Sequence, residues 1–424
     1  MLHGISCEPA AGLLCKAVDF ERAALPFTPL EAAARLAPPG GLVWLDSAVA
    51  GPGALSMLAS APEEIVTGNI SSDAGRLRAL LARHRTDAQM PGRAPAGGLF
   101  GWIGFDGEFV FGVCPRCLVF DHGSAAWLDV GGLARELRPA AEQSCTSPAL
   151  EFRPLLDRAD FIRSVHRARE YIAAGDIYQV NLAYPWSAPW PRDAAALGLY
   201  ERLRAVSPAP FGAFVDLAGT RILSASPECF LEISGRRIST RPIKGTRARC
   251  PADPALDARA AEELVRSEKE RAELLMITDL ERNDLGIVCE FGSVAVPGLW
   301  EVESFAQVHH LVSTVTGVLR EDVDHVSALR ACFPGGSISG APKKRALEII
   351  RELEPHPRGI YTGAIGCFGF NGESRFSIAI RTAVLRGDEI TFHVGAGIVA
   401  DSDPEREYEE TLHKAAGLLR SAGM

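Results

Sequence analysis

Two predicted helices each carry a pair of glutamates three residues apart. Glu270 and Glu273 form the first pair, and Glu407 and Glu410 form the second. Side chains three apart lie on one face of a helix, where two like charges cost about 0.2–0.5 kcal/mol. Mg²⁺ prefers a few carboxylates together with water and substrate oxygens, so two such faces could share one ion. The alternative is a pair of solvated helix faces neutralised by nearby basic residues.

One lysine and one glutamate lie in short segments that favour partial burial. Lys244 lies within RPIKGT. A desolvated lysine loses its proton more readily and becomes a nucleophile. Glu228 lies within SPECF, where burial would raise the pKa of its carboxyl and suit a general acid. The alternatives are an exposed turn lysine and a turn carboxylate beside a proline.

Two glycine-containing segments are suited to binding an anion. Residues 334–344 (PGGSISGAPKK) lead into a predicted helix, whose first N–H groups attract anions. Gly395, Ala396 and Gly397 follow a predicted strand, where backbone amides can approach a carboxylate closely. The spacing GxxxxGK[ST] is absent, so neither segment indicates a Walker loop.

Three further side chains are candidates for the same site. Arg381 interrupts an apolar predicted strand and can bind a substrate carboxylate through two parallel hydrogen bonds, although a structural salt bridge is an equal alternative. Tyr361 is the second candidate. His310 precedes a predicted strand, and on residue type alone a structural role in the core accounts for it.

Composition excludes several classes of protein. The chain has 424 residues, of which 47% are hydrophobic and 23% charged, so wholesale disorder is excluded. A net charge of −9 argues against nucleic-acid binding, and no apolar stretch of about 18 residues predicts a membrane span. Of ten cysteines only Cys114 and Cys117 are closely spaced, which is at most half a zinc site. We therefore expect a cytoplasmic protein with reduced thiols.

The hydrophobic patterns predict an α+β fold, because many strands and several helices occur without regular βαβ alternation. Strands are predicted at 41–45, 98–105, 178–183, 211–217, 221–223, 229–233, 288–296, 307–319, 363–370, 377–385 and 390–394. Helices are predicted at 73–83, 160–175, 256–280, 341–353 and 404–421, the last with Asp403 as its N-cap. Residues 139–148 are the best candidate for a linker.

Seven motifs in one order resemble those of the chorismate-utilising enzymes, from about residue 160 to residue 419. They are GDIYQVNL at 175–182, SPE at 226–228, PIKGT at 242–246, DLERNDLG at 279–286, HHLVSTVTG at 309–317, PGGSISGAPKKRALEII at 334–350 and GAGIVADSDPEREYEET at 395–411. The resemblance implies the fold of anthranilate synthase component I, in which two antiparallel sheets pack as a sandwich surrounded by helices. Residues 1–150 would complete the sandwich, and residues 151–424 would form the catalytic region that binds chorismate.

The resemblance also implies roles for individual residues. Lys244 would attack C2 of chorismate while Glu228 protonates the departing C4 hydroxyl, with His310 supporting near the ring. The substrate-binding residues would be Thr246, Tyr361, Arg381, Gly395, Ala396 and Gly397. Glu273 and Glu410 would bind Mg²⁺ directly, and Glu270 and Glu407 would act through water. Ser47, Pro210 and Phe211 would be remnants of a tryptophan pocket, although a plain strand and turn explain them equally well.

Two positions discriminate within the family. Anthranilate synthases have alanine in place of Lys244, and isochorismate and salicylate synthases have a lysine base in place of Gln179. The sequence therefore most resembles the members that form 4-amino-4-deoxychorismate, with ammonia from a separate glutamine amidotransferase subunit. The alternatives are an anthranilate synthase component and a non-catalytic chorismate-binding protein. Neither a nucleic-acid partner nor a membrane is expected.

Overall fold

The structure, a computed structural model, describes residues 18–36, 41–49, 53–139, 149–191, 194–305 and 308–424. Within these residues the chain forms 22 strands and nine α-helices. The strands are β1 Phe20–Ala23, β2 Leu42–Asp46, β3 Leu55–Ala59, β4 Glu64–Asn69, β5 Gly98–Ile103, β6 Glu108–Cys114, β7 Cys117–Asp121, β8 Ala126–Val130, β9 Arg153–Pro154, β10 Gln179–Pro189, β11 Phe211–Leu217, β12 Thr220–Ser226, β13 Cys229–Ser234, β14 Arg237–Arg241, β15 Ile243–Ala248, β16 Ala295–Ser304, β17 Val308–Val318, β18 Gly340–Ala341, β19 Ala364–Gly369, β20 Glu373–Ile378, β21 Thr382–Arg386 and β22 Glu389–Ile398. The helices are α1 Pro29–Leu36, α2 Ala74–His84, α3 Arg158–Ala173, α4 Ala196–Val206, α5 Pro254–Arg266, α6 Glu268–Val288, α7 His325–Cys332, α8 Lys343–Leu353 and α9 Pro404–Ser421.

The strands form two antiparallel sheets. The first runs β1-β8-β7-β3-β2-β11-β12-β21-β22-β10-β18, with β9 paired to β10. The second runs β15-β17-β14-β13-β20-β19-β5-β6-β4, with β16 paired to β17. This architecture confirms the predicted α+β fold. Both sheets take strands from either side of residue 150, so the composition boundary there does not separate two sheets.

The central strands of the second sheet, β5 and β19, are buried on both faces. Along β5, Phe100 and Trp102 join an apolar cluster with Val43 and Val215 of the first sheet. The alternate residue Leu99 belongs to a larger cluster that includes residues of the surrounding helices. Because neighbouring side chains on a strand point to opposite faces, a strand between a sheet and helices is apolar throughout. All six residues of β5 are accordingly buried.

Two predicted elements each prove to be two elements. The helix predicted at 256–280 is broken at Ser267, whose backbone is extended and whose side chain accepts a hydrogen bond from the amide of Glu270. Ser267 therefore ends α5 and caps α6, an outcome that hydrophobic periodicity does not reveal. The strand predicted at 377–385 is divided between β20 and β21, which lie in different sheets. Arg381 lies between them with a φ of +50°.

Other predictions differ in their boundaries. The strand predicted at 288–296 is wrong, because Val288 ends α6 and β16 begins only at Ala295. Gly395, Ala396 and Gly397 lie within β22 rather than after it. The last helix is confirmed, and the side chain of Asp403 accepts hydrogen bonds from the amides of its first turn. The predicted linker lies outside the described residues except for its first residue, 139.

Cys114 and Cys117 are both buried in the described structure, and burial raises the pKa of each thiol, to about 12 for Cys117. A thiol that does not ionise is a poor nucleophile and a poor metal ligand. Among the helices of the described residues, none is long and apolar enough to cross a membrane.

Paired glycines at the centre of the second sheet provide a test of the fold. Gly101 of β5 lies opposite Gly366 of β19, and a Cβ at Gly101 would lie 2.0 Å from the carbonyl oxygen of Val110. Gly101→Ala should therefore lower the free energy of unfolding by about 1–3 kcal/mol, measured by chemical denaturation. Gly75→Ala is the control, because Gly75 lies in α2 with nothing within 4 Å of an added Cβ. That variant should be stabilised by roughly 0.5–1 kcal/mol, and equal effects of the two changes would contradict the packing described here.

Candidate active site

Two neighbouring crossovers between the sheets position the predicted acid and the predicted arginine. Glu228 lies where the chain passes from β12 to β13, and Arg381 lies where it passes from β20 to β21. The hydroxyl of Ser226 donates to the carbonyl of Ile378 over 2.6 Å, and the amide of Ile378 donates to the carbonyl of Glu228 over 3.1 Å. The amide of Ala225 donates to the carbonyl of Arg381 over 3.1 Å. The two crossovers are therefore fixed against each other.

Lys244 lies at an irregularity in the pairing of β15 with β17. Lys244 is opposite Leu311 and Thr246 is opposite His310, and the register shifts between these pairs. Gly245 adopts a φ of +68° at the shift, and a Cβ there would lie 2.6 Å from the side chain of Leu264. A bulge of this kind redirects neighbouring side chains. The ammonium of Lys244 donates to the carbonyl of Ser337 over 3.3 Å.

The carboxyl of Glu228 is buried beside two cationic groups. Its residue is 5% exposed, and this burial raises the pKa of the carboxyl. Ser337, Lys244 and Arg381 act in the opposite direction without cancelling the effect of burial. A carboxyl with a raised pKa keeps its proton to a higher pH, which is what a general acid requires.

His310 is held in its neutral form. Its Nδ1 lies 2.9 Å from the hydroxyl oxygen of Thr246 and 3.4 Å from the carbonyl oxygen of Gly245. Because a carbonyl only accepts, a proton on Nδ1 satisfies this contact and leaves Nε2 as an acceptor. Burial is the main cause that lowers the pKa of His310 to about 4, and Arg381 and His309 act in the same direction. This histidine is therefore uncharged at neutral pH.

Arg381 is a partly buried cation, and its guanidinium has no hydrogen-bond or ion-pair partner among the described residues. Burial lowers the pKa of Arg381, while Glu228 raises it. The structural salt bridge that the sequence left open is therefore absent from the described residues. An unpaired guanidinium in such a site is suited to a carboxylate ligand.

Tyr361 lies against the glycine segment of β22. A Cβ at Gly395 would lie 3.1 Å from the Tyr361 hydroxyl and 2.6 Å from the carbonyl oxygen of Leu182, so a larger residue would displace the ring or the strand. Burial raises the pKa of Tyr361 to about 12, so its hydroxyl stays protonated and can donate. Ala396 lies fully buried between Gly395 and Gly397, and a Cβ at Gly397 would lie 2.4 Å from Nε2 of Gln179.

The four predicted metal-binding glutamates differ in their partners. Glu270 and Glu273 lie on α6, Glu407 and Glu410 lie on α9, and each forms a contact with another side chain. Those contacts are Glu270 with Arg247 at 3.5 Å, Glu273 with Lys269 at 3.8 Å, Glu407 with the hydroxyl of Ser402 at 2.7 Å and Glu410 with Lys414 at 2.7 Å. Glu270, Glu273 and Glu410 thus contact cationic side chains, whereas the Oε1 atom of Glu407 accepts a hydrogen bond from a neutral hydroxyl.

The electrostatics place Glu273 and Glu410 close to each other and to Lys244. Burial raises the pKa of Glu273, and Glu410 adds to the rise while Lys244 and Lys269 oppose it. Burial also raises the pKa of Glu410, but Lys414, Lys269 and Lys244 together outweigh it, so that pKa is lowered. The charges of Glu273, Glu410 and Lys244 thus act on one another across α6, α9 and β15.

The donor set fits a magnesium ion better than a transition metal. Among the described residues, no three His, Cys, Asp or Glu side chains are close enough together to form a complete metal site. Mg²⁺ commonly binds through one or two carboxylates and completes its shell with water and substrate oxygens. The pair formed by Glu273 and Glu410 supplies that number of ligands, and both carboxylates are partly buried beside each other.

The segments of the predicted tryptophan pocket lie side by side. The amide of Ala48 donates to the carbonyl of Ala209 over 3.0 Å, next to Ser47 and Pro210. The hydroxyl of Ser47 donates to the carbonyl of Val49 over 2.9 Å, and Phe211 lies opposite Ser226 at the start of β11. The pocket residues are therefore brought together, and binding of tryptophan stays a prediction.

Sequence reasoning missed two residues that contact the site through its backbone. Glu354 and Arg358 form an ion pair of 2.7 Å whose side chains are 6% and 1% exposed. A glutamate four residues before an arginine is a signal of an ion pair on a helix. Here Pro355 and Pro357 lie between the two residues and argue against a helix. Neither residue belongs to an α-helix in the structure.

Comparison with known proteins identifies the family. Residues 133–420 match the chorismate binding enzyme family, and the chain belongs to it. It is 41% identical over 392 residues to anthranilate synthase component 1 of Streptomyces coelicolor, covering 81% of this chain and 76% of that protein. It is 48% identical over 288 residues to aminodeoxychorismate synthase of Streptomyces griseus, covering 68% of this chain but 39% of that protein. The chain is thus a chorismate-utilising enzyme, and its sequence is similar to two kinds of synthase.

Two further comparisons support the same family and fold. Aminodeoxychorismate synthase component 1 of Bacillus subtilis is 41% identical over 288 residues, which are 68% of this chain and 59% of that protein. The crystal structure of anthranilate synthase component I from Streptococcus pneumoniae superposes with a TM-score of 0.78 at 29% identity. The superposition covers 87% of this chain and 93% of the Streptococcus pneumoniae chain. The expected fold of anthranilate synthase component I is therefore confirmed.

The buried neutral state of His310 predicts a pH dependence of stability. Its pKa is about 4 in the folded protein and ordinarily 6.5, so below pH 6.5 the unfolded chain binds more protons. This contribution to stability is complete above pH 6.5 and is lost as the pH falls toward 4. The stability difference between wild type and His310→Gln should shrink over that window by at most about 3 kcal/mol.

Chemical denaturation at pH 7.0 and at pH 4.5 measures this difference. His166→Gln is the control, because His166 is exposed on α3. For that variant the difference from wild type should stay constant between the two pH values. A constant difference for His310→Gln as well would show that His310 is not held neutral by burial.

Proposed function

We propose that the chain is the chorismate-binding component of an aminodeoxychorismate synthase, component I, which forms 4-amino-4-deoxychorismate for 4-aminobenzoate and folate synthesis. The observation that supports it most is the position of Lys244. Its ammonium contacts the carbonyl of Ser337, and its charge acts on Glu228, Glu273 and Glu410. A protein that only bound chorismate would have no need of a lysine in that position.

The first proposed step is an exchange of substituents on the chorismate ring. The Lys244 ammonium first gives a proton to solvent, and its neutral Nζ attacks C2. The ring double bonds shift and the bond from C4 to its hydroxyl breaks, which leaves a secondary ammonium on C2. Glu228 gives its proton to the departing oxygen, which leaves as water, and its buried carboxyl suits this task because its pKa is raised. Covalent catalysis of this kind divides one poor displacement into two easier ones.

The second proposed step reverses the first with a different nucleophile. Ammonia adds at C4, the double bonds shift back, and the bond between C2 and Nζ of Lys244 breaks. The ammonium formed at C4 gives up a proton, for which the carboxylate of Glu228 is the acceptor. We propose that the ammonia comes from a separate glutamine amidotransferase subunit, a proposal that fits relatives named as component 1 of their synthases.

The remaining residues bind and orient the substrate in this proposal. Arg381 pairs with the carboxylate of the enolpyruvyl group, and the hydroxyl of Tyr361 donates to it beside the amides of Gly395 and Gly397. Thr246 holds the neutral ring of His310 near the cyclohexadiene. When bound by Glu273 and Glu410, with Glu270 and Glu407 around them, Mg²⁺ would supply charge stabilisation to the ring carboxylate.

Anthranilate synthase component I is the second candidate. It is favoured by the 41% identity to such a protein of Streptomyces coelicolor, which extends over 81% of this chain. The two reactions differ in the ring carbon that is aminated and in the loss of pyruvate. The product therefore distinguishes them directly.

The product and its dependence on Lys244 form one test. With chorismate, Mg²⁺ and ammonium at mildly alkaline pH, mass spectrometry should detect an amino-chorismate that retains its pyruvyl group. Lys244→Ala should lower its rate of formation at least about 10³-fold, because the covalent route is removed. Lys344→Ala is the control, because Lys344 lies exposed on α8, and this variant should remain active. Release of 2-aminobenzoate and pyruvate by the wild type would instead identify an anthranilate synthase.

The dependence on magnesium forms another test. Glu273→Gln removes one of the two proposed ligands, so the Mg²⁺ concentration for half-maximal rate should rise at least about tenfold. Glu268→Gln is the matched control, since Glu268 lies exposed in the first turn of the same helix. An identical Mg²⁺ titration for Glu273→Gln and wild type would remove Glu273 from the ligand set.

A further inference from the structure

Every N–H group of the Arg358 guanidinium has an acceptor. Nε and Nη2 form two parallel hydrogen bonds with the carboxylate of Glu354, over 2.9 and 2.7 Å. Nη2 also donates to the carbonyl of Asn181 over 2.7 Å, and Nη1 donates to the carbonyl of Ile338 and to the hydroxyl of Thr362 over 3.0 and 3.1 Å. All five donors of an arginine are thus used within a residue that is 3% exposed.

The acceptors belong to three separate parts of the candidate site. Asn181 lies on β10 opposite Gly397 of the glycine segment. Ile338 follows Ser337, whose carbonyl accepts from Lys244. Thr362 follows Tyr361, and its hydroxyl also donates to the carbonyl of that tyrosine over 2.6 Å. The Arg358 side chain therefore links three backbone segments. They are the segment whose carbonyl binds Lys244, the turn that contains Tyr361, and β10, which pairs with the glycine segment.

The ion pair also supplies hydrogen-bond partners to the edge of β10 that lies opposite β22. That edge is paired with β18 only at Gln179 and Val180, and with β9 only at Trp186 and Ser187. Between these two short strands, the carbonyl of Asn181 is bound by Arg358, and the amide of Ala183 donates to Glu354 over 2.8 Å. The two side chains therefore take the place of a neighbouring strand, and they satisfy backbone groups that would otherwise be unpaired.

The turn that presents Tyr361 is under strain. Thr362 has a φ of +61°, a value that is unusual for a residue branched at Cβ. Such a conformation persists only where the surroundings impose it. The hydrogen bond from Arg358 to the Thr362 hydroxyl is one of the contacts that impose it here, together with the amide of Thr362 donating to the carbonyl of Ala379 over 2.8 Å.

We propose that the ion pair of Arg358 and Glu354 is a positioning device for chorismate binding. It holds Tyr361 and the segment that contacts Lys244 at a fixed separation from β10, and it has no direct contact with the substrate. The proposal rests on the binding of chorismate at this site, and it does not depend on which product the enzyme forms.

Arg358→Lys is the variant that tests the proposal. Lysine keeps the positive charge beside Glu354 but has three donors in place of a planar set of five, so the contacts to Asn181, Ile338 and Thr362 cannot all be formed. We expect the KM for chorismate, followed as total chorismate consumption, to rise at least tenfold. The dissociation constant of chorismate, measured by calorimetry with Mg²⁺ and without ammonia, should rise by a similar factor.

Two further variants separate positioning from general stability. Arg266→Lys is the matched control, because Arg266 also pairs with a glutamate four residues away, Glu262 at 2.5 Å, but both side chains are exposed on α5. It should leave KM and the dissociation constant unchanged. Thr362→Val keeps the ion pair and removes only the contact to the tyrosine turn, so it should raise KM even if Arg358→Lys does not fold.

The outcomes that contradict the proposal are distinct from those that contradict the proposed function. A purely structural ion pair would lower the folded fraction, which decreases the apparent kcat and leaves KM unchanged. That result, or unchanged chorismate binding in both Arg358→Lys and Thr362→Val, would overturn the positioning role. Failure of the wild type to bind chorismate would instead overturn the proposed function.

Discussion

Three hydrogen bonds join two of the places where the chain crosses from one sheet to the other, and the geometry of the site depends on them. They connect Ser226 with Ile378, Ile378 with Glu228, and Ala225 with Arg381. A two-sheet sandwich normally has its inner faces filled with apolar side chains. A crossover interrupts that filling, because the backbone must leave one ladder before it enters the next. The acid and the arginine lie at these crossovers, so their separation is set by two main-chain hydrogen bonds and by the bond from the short Ser226 side chain to a carbonyl.

Burial of charge is the consequence of this location. An ionised group taken out of water is stabilised only by partners, and otherwise its pKa moves toward the neutral form. Glu228 follows this rule, since burial raises its pKa despite the nearby Lys244 and Arg381. His310 follows it in the opposite sense and is neutral at pH 7. Arg381 has no partner among the described residues, and it therefore retains the capacity to bind an anion.

Sequence patterns were sufficient for the elements with a simple period and for the residues in local motifs. The helix from Pro404 was predictable because Asp403 caps it and its apolar positions recur regularly. The break at Ser267 was not, because α5 and α6 have one continuous apolar pattern and only the cap separates them. The division between β20 and β21 was hidden for a related reason. Residues 378–385 are apolar except for Arg381 and Thr382, and the chain passes from one sheet to the other at Arg381, whose φ is +50°. Glu354 and Arg358 were missed because several of their partners are backbone groups elsewhere in the chain, the carbonyls of Asn181 and Ile338 and the amide of Ala183, which leave no trace in side-chain patterns.

Without a bound cation, the carboxylates of Glu273 on α6 and Glu410 on α9 are stabilised by neighbouring lysines. Lys269 lies 3.8 Å from Glu273, and Lys414 lies 2.7 Å from Glu410 while also donating to the carbonyl of Gly395 over 2.9 Å. These lysines supply positive charge that a bound divalent ion would otherwise supply. A cation entering between Glu273 and Glu410 must therefore displace at least part of this pairing, and the carbonyl of Gly395 would compete for the Lys414 ammonium. Binding of the proposed Mg²⁺ would therefore be coupled to the position of the glycine segment, because the Lys414 ammonium contacts both Glu410 and the carbonyl of Gly395.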